Sequence, residues 1–292
     1  MTFLVTGATG LVGGELLRVL LRDGHAVRAA VRDKEGRNQK EAAELAERGA
    51  EVVELDYARP ETFAPALRGV SAVFYLTIPM SAEPGHEPEL FAAMKEAGVQ
   101  RVVKLSVWRA GDEAYLFARW HRASEKRLEA SGLPYTLLRP SGFMQNLLQL
   151  AGSVRGASAI FLPMAQAAVG HIDARDIAEA AAVALRGGHE GKAYDLSGPE
   201  ALTYDDVAAA LSSSLEQPVR YVPISAEKWR ADMVGYGMPG GVADSLIDLY
   251  NYYVSGGSSA TDPSLAMLLG RPGRSFADFV REHVAAFRAA SA

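Results

Sequence analysis

The 292-residue chain contains no cysteine. Disulfides, thiolate metal sites and cysteine nucleophiles are therefore excluded, and the absence fits a reducing compartment such as the cytoplasm. No excess of positive charge is present either: 30 Lys and Arg stand against 35 Asp and Glu, for a formal net charge of −5. Without a basic face there is no electrostatic footprint for nucleic acid, and no nucleic-acid partner is expected. No apolar run approaches the roughly 20 residues that span a bilayer. Met1 leads directly into a β-prone run with no charged segment before it, so neither a membrane partner nor a signal peptide is expected. No metal site is expected. At 49% hydrophobic and 22% charged residues, the composition is that of an ordinary globular protein. Its length suits one large domain, or a domain with an appended subdomain.

What is present begins at the N-terminus, in Phe3-Leu-Val-Thr-Gly7-Ala-Thr-Gly10-Leu-Val-Gly13. An apolar run feeds three glycines at i, i+3 and i+6, and an amphipathic stretch follows from Leu11 to about Arg22. Strand, glycine turn and helix in that order are the context of a dinucleotide clamp. Gly7 supplies a tight turn, Gly10 a close approach to pyrophosphate, and Gly13 close packing of helix on strand. The N–H groups of Thr9, Gly10, Leu11 and Val12 are candidates to hold the anion at the helix start.

Up to about residue 140 strand and helix alternate. Strands are expected at Phe3–Thr6, Ala26–Val31, Glu51–Leu55, Ala72–Ile78, Arg101–Ser106 and Tyr135–Arg139, with helices near 11–22, 39–48, 60–68, 87–97 and 114–131. Gly24, Gly49, Gly69, Gly98 and Gly132 each follow a helical run, where a left-handed exit is expected. Repeated helix–Gly–strand units imply right-handed crossovers and a doubly wound α/β parallel sheet covered on both faces. After Pro140 the pattern loosens. Helices are expected near 143–151, 173–186, 204–215, 225–234, 241–254 and 275–289, and strands at Lys192–Ser197 and Val219–Ile224. Thr203-Tyr-Asp-Asp206 reads as a capping box, and 235–241 as a lid loop. The expected division is a dinucleotide-binding domain over 1–152 and a smaller, irregular α/β substrate subdomain over 153–292, with 172–198 returning to the sheet. A cleft at the C-terminal strand ends is the place for ligand.

The second strand ends at Val31-Arg32, with Lys34 and Arg37 close behind, where NAD enzymes place an acidic group. A guanidinium there pairs with a 2′-phosphate, which favours NADP(H) over NAD(H). Asp56, after the third strand, either accepts from the adenine amino group or initiates the turn before Pro60.

These residues, read with His121, Glu125, Leu128-Glu-Ala-Ser-Gly132-Leu-Pro-Tyr-Thr-Leu-Leu-Arg139-Pro-Ser-Gly-Phe143-Met-Gln-Asn146, Asp173-Ala-Arg-Asp176 and Tyr194-Asp-Leu-Ser-Gly198, resemble the NmrA-like branch of atypical short-chain dehydrogenases. Within it the chain is similar to bacterial quinone oxidoreductases and triphenylmethane reductases. The resemblance spans essentially the whole chain. It implies a Rossmann-type domain that binds NADP(H) and a small C-terminal substrate subdomain. It also admits non-catalytic redox sensors that bind dinucleotide and a protein partner.

Typical short-chain dehydrogenases carry Tyr-x-x-x-Lys on a helix, where the ammonium lowers the phenol pKa for proton transfer. This chain has no such pair. Tyr115-Leu-Phe-Ala-Arg119 comes nearest, but it stands at the start of the helix and ends in arginine. His121 is the better candidate, because by resemblance it falls where quinone-reductase-like members carry histidine. Glu125, at i+4, is expected to set its tautomer or raise its pKa. Lys126 lies on another face. Asn146 is a candidate to orient a carbonyl oxygen or the nicotinamide amide. Thr77 and Ser106, with Leu76, are candidates to line the ribose and nicotinamide. Candidate substrate walls are Leu76, Ile78, Pro79 and Met80, then Phe143 and Met144, then His171, Trp229, Tyr236 and Tyr250. The reading is an NADPH-dependent reductase of a small aromatic or quinone-like acceptor, as monomer or homodimer. An NADP(H)-sensing regulator is the alternative, and tailoring of a polycyclic ketone or quinone is a third possibility.

Overall fold

The computed structural model describes residues 1–77 and 83–288. In chain order the elements are β1 (Thr2–Val5), α1 (Leu11–Arg22), β2 (Ala26–Val31), α2 (Gln39–Glu47), β3 (Glu51–Glu54), α3 (Phe63–Leu67), β4 (Ala72–Leu76), α4 (Glu87–Glu96), β5 (Arg101–Leu105), α5 (Leu116–Ala130) and β6 (Tyr135–Pro140). Then come α6 (Ala151–Ala157), β7 (Ala159–Leu162), α7 (Ala174–Leu185), β8 (Lys192–Leu196), α8 (Tyr204–Leu215), β9 (Arg220–Pro223), α9 (Ala226–Gly235), α10 (Gly240–Val254), α11 (Ser264–Leu269) and α12 (Phe276–Phe287).

The chain divides into two compact units. The first comprises Met1–Gly111, Ala118–Arg139 and Ala174–Asp195; the second comprises Asp112–Phe117, Pro140–Asp173 and Leu196–Ala292. Residues 112–117 and 140–152 cluster with the second unit, and 174–195 with the first. Gly24 and Gly98, at helix exits, take φ of +78° and +73°.

The first unit is built on a seven-stranded sheet of order β3-β2-β1-β4-β5-β6-β8, in which β1 to β6 pair in parallel. Strand order reverses between β1 and β4. In an open α/β sheet that reversal is where the loops at the C-terminal strand ends part and leave a ligand crevice. Apolar side chains bury both sheet faces. Leu4, Val73, Tyr75, Val102 and Leu137 pack with Leu90, Phe91 and Met94 of α4 and Leu128 of α5.

The second unit has its own core, with Met144, Ile160, Val207, Trp229, Tyr253 and Phe279 among its buried members. α8 starts at the expected capping box: Thr203 Oγ1 accepts from the Asp206 N–H, and the Asp206 carboxylate accepts from the Thr203 N–H at 2.9 Å. Three local expectations are corrected. Between the helices expected near 143–151 and 173–186, where no strand was expected, lies β7, which pairs with β9 in a two-stranded parallel sheet. Four apolar residues become a strand there only because a partner 61 residues away supplies the ladder. The helix expected over 143–151 is a 3₁₀ segment at Met144–Leu150 followed by α6. The short α11 was not expected. Among the described residues no helix is long and apolar enough to cross a membrane.

Candidate functional site

The turn after β1 is shaped by what its glycines lack. Gly7 has φ +63°, and a Cβ there would meet the Leu76 side chain at 3.2 Å. A Cβ on Gly13 would lie 2.2 Å from the Gly7 carbonyl oxygen, so α1 can dock against the turn only without one. Gly10 is the extended N-cap of α1 and brings no side chain to cap it. The first N–H groups of the helix, on Leu11, Val12 and Gly13, thus remain for an anion, and the helix dipole favours one. Thr9, Gly10 and Leu11 are exposed and line a cavity of about 380 Å³ with Glu41, Glu44 and Arg48; Val12 is buried.

At the end of β2 the Arg32 side chain is exposed and has no hydrogen-bond or ion-pair partner among the described residues. The neighbouring Asp33 is turned into its own loop, accepting from the N–H groups of Gly36 at 2.8 Å and Arg37 at 3.1 Å. Those bonds, from Arg37 and then Gly36, hold its carboxyl below the usual range. Asp56 starts the turn after β3, accepting from the Ala58 N–H at 3.0 Å and Arg59 Nε at 3.3 Å. Arg59 also ties this turn to the Arg32 carbonyl at 3.0 Å.

Around the ends of β4 and β5 a polar layer replaces apolar packing. Thr6 Oγ1 donates to Phe74 O at 3.0 Å and accepts from the Leu76 N–H at 2.8 Å, while the Tyr57 hydroxyl donates to Leu76 O at 2.8 Å. Thr77 lines a second cavity of about 340 Å³ with Tyr57, Tyr75, Glu87 and Arg127. Ile78, Pro79 and Met80 lie outside the described residues.

The expected pairing of Glu125 with His121 is corrected. Ser106 donates its hydroxyl to Glu125 Oε1 at 2.6 Å, Arg139 clasps both carboxylate oxygens at 2.9 and 2.7 Å, and Arg122 adds a contact at 3.1 Å. Burial pushes the Glu125 carboxyl up, but the bonds from Arg139 and Ser106 outweigh it and the net shift is down. The Ser106 hydroxyl is thereby committed to Glu125. His121, one turn earlier on α5, is 7% exposed, and its Nδ1 has no hydrogen-bond partner among the described residues. Burial, and then the nearby charge of Lys104, push its pKa well below the ordinary value rather than raising it. The imidazole is therefore neutral at physiological pH.

The second unit holds the other candidates. Gly142 and Phe143 are fastened to the 171–172 segment, with Ile172 N–H donating to Gly142 O at 2.9 Å and Met144 N–H to Ile172 O at 2.9 Å. Phe143 is half-buried, Met144 buried and Asn146 exposed. His171 is buried beside Gly142 and edge-on to Tyr204 at 6.1 Å, and among the described residues neither ring nitrogen makes a hydrogen bond of good geometry. Burial lowers its pKa to about 4. Tyr250 meets the buried Trp229 edge-on at 5.2 Å, and burial pushes its hydroxyl up to about 12. Tyr236 is 85% exposed. Tyr115 is buried and stacked on Tyr252 at 4.6 Å, a packing role. Sequence reasoning missed Tyr57, Tyr75, Glu87 and Lys104. The one legible signal was a lysine inside the apolar run Val102-Val-Lys-Leu105.

A glycine turn at a strand-order reversal, an uncapped helix start and a free arginine after β2 together define a dinucleotide-binding α/β protein. The NmrA-like family model matches residues 1–267, and the chain belongs to that family. It is 37% identical over 289 residues to the NAD(P)H azoreductase of Xenophilus azovorans, covering 98% of this chain and 99% of that protein. The NADPH-dependent quinone oxidoreductase of Escherichia coli, solved with NADPH, superposes with a TM-score of 0.88 at 29% identity, covering 98% of this chain and all of that one. The triphenylmethane reductase of Citrobacter sp., solved with NADP(H), gives a TM-score of 0.84 at 26% identity over 97% and 99% of the two chains.

Proposed function

We propose that the chain is an NADPH-dependent oxidoreductase that reduces a planar, electron-poor aromatic acceptor such as a quinone. The observation that carries the reading is the pairing of an uncapped helix start at Gly10 with a guanidinium at Arg32 that has no partner among the described residues, which fits the pyrophosphate and the 2′-phosphate of NADPH. The relatives named above act on, or were solved with, the same cofactor class.

Leu11 and Val12 offer backbone N–H groups to the pyrophosphate. Arg32 pairs with the 2′-phosphate, Asp56 faces the adenine, and Leu76 and Thr77 flank the ribose and nicotinamide. The bound cofactor supplies a hydride. His121, neutral and buried, donates a hydrogen bond rather than a proton, which suits an acceptor whose reduced oxyanion takes its proton from water. We assign recognition of the acceptor to Phe143, Met144, His171 and Tyr250, and the orienting of a carbonyl oxygen to Asn146. Exclusion of water and positioning then carry most of the rate. We place the protein in the cytoplasm, as a monomer or homodimer.

The test is NADPH oxidation by the purified protein with and without a panel of simple and polycyclic quinones. Acceptor-dependent turnover well above background is the expected result. Binding seen by NADPH fluorescence without any turnover would overturn the reductase reading in favour of a dinucleotide sensor.

A further inference from the structure

Among the described residues, Lys104 Nζ on β5 and His121 Nδ1 on α5 are buried in the first unit without a hydrogen-bond partner, as is Arg101 Nε at the start of β5. An ammonium has three donors and no acceptor, and the unprotonated nitrogen of a neutral imidazole is an acceptor. Left unmade, each group bears the full cost of its desolvation.

The surroundings narrow what Lys104 can do. Val102, Lys104 and Ser106 alternate onto the same face of β5, and Ser106 fixes strand against helix through Glu125. Lys104 is fully buried and pairs in register with Tyr75 of β4, its ammonium 4.7 Å from the Tyr75 ring centroid. The Tyr75 hydroxyl is taken by Glu87 of α4 at 2.5 Å, and Glu87 also accepts from the Ser124 hydroxyl and from Arg127 Nε at 2.5 Å. The charged groups facing Lys104 are therefore Glu87 and Glu125, which favour its charge, and Arg127, which opposes it. Burial outweighs them and lowers its pKa to about 8. Both carboxylates are already bonded to other donors. The charge of Lys104 also acts on His121, opposing its protonation.

We propose that Lys104 is the positioning residue of His121, its ammonium donating to Nδ1 through one bridging water and so fixing the tautomer with the proton on Nε2. His121 then presents a fixed neutral N–H donor. Its value to catalysis rests on the reductase reading above; the tautomer itself does not.

The test uses full-length protein labelled with ¹⁵N-histidine, the His121 signals being assigned by their loss in His121→Asn. In the unaltered protein His121 is expected as the Nε2–H tautomer, without titrating between about pH 5 and 8. Lys104→Met keeps the stem and removes donor and charge. It should mix the tautomers and raise the His121 midpoint by about one pH unit or more. Lys104→Gln keeps a donor without charge, so it should preserve the tautomer while the midpoint still rises. An unchanged tautomer and midpoint in Lys104→Met overturns the proposal. If that variant does not fold, the same null result in Lys104→Gln overturns it. Failure of the reductase reading would show separately, as no acceptor-dependent NADPH oxidation by the unaltered protein.

Discussion

In the first unit the groups offered to a ligand are backbone N–H groups at a helix start, a free guanidinium and a polar layer whose carboxylates are already bonded. In the second they are rings: Phe143, Tyr250 beside Trp229, and the buried imidazole of His171. The first set suits a charged ligand of fixed geometry, because helix-start N–H groups and an arginine fork recognise phosphates by direction. The second suits a flat, weakly polar ligand held by contact area, where orientation comes from one or two polar atoms. On the proposed function the first unit selects the dinucleotide by electrostatics and the second the acceptor by shape.

Four substitutions test that contrast. Gly13→Val should do most, since its Cβ meets the Gly7 carbonyl oxygen and forces α1 off the turn. NADPH affinity measured by fluorescence titration should fall at least about a hundredfold, with about 3 kcal/mol lost in urea unfolding. Undiminished affinity would mean that the helix start is not the anion site.

Arg139→Met leaves the Glu125 carboxylate buried without its bidentate partner and should cost about 3 kcal/mol of stability. Because the folded-state pKa of Glu125 is depressed below its ordinary 4.5, its contribution is full above that value and is lost as pH falls through the lower folded-state value. The unaltered protein should therefore lose stability on acidification below about pH 4.5, and Arg139→Met should lose less. Parallel pH profiles for the two would contradict the assignment.

Arg32→Glu should weaken NADPH by about tenfold to a hundredfold and leave NADH within about twofold. Equal losses for both cofactors would remove the phosphate contact from Arg32. The smallest effect is expected at His171. Its folded-state pKa is lowered from 6.5 to about 4, so between those values the unfolded chain binds a proton that the folded one does not, and stability falls as pH drops. His171→Leu should abolish that slope and gain about 1 kcal/mol at pH 5.5. A rise in KM for quinone with NADPH binding intact would place the ring at the acceptor; an unchanged KM would make it core.

The features legible in the sequence are local ones. The glycine turn, the alternation of strand and helix, the glycine exits and the Thr203–Asp206 capping box each depend on a few consecutive residues and elementary backbone sterics. The tertiary structure alone decided whom each buried polar group meets. Glu125 stands one helical turn from His121, yet it is taken by Ser106 and Arg139, which strand order and register bring from β5 and β6. Lys104 became a buried charge because its strand lies inside the sheet with Tyr75 beside it, and a lysine in an apolar run does not announce its neighbours. β7 formed because β9 was there to complete its ladder. Asn146 ended exposed because the segment turns Met144 and Leu147, not Asn146, into the core of the second unit. Backbone conformation is set within a few residues, so the sequence by itself determined the dinucleotide turn and the order of elements. Hydrogen-bond partners and burial depend on residues far apart in the chain, so only the fold decided the state of His121.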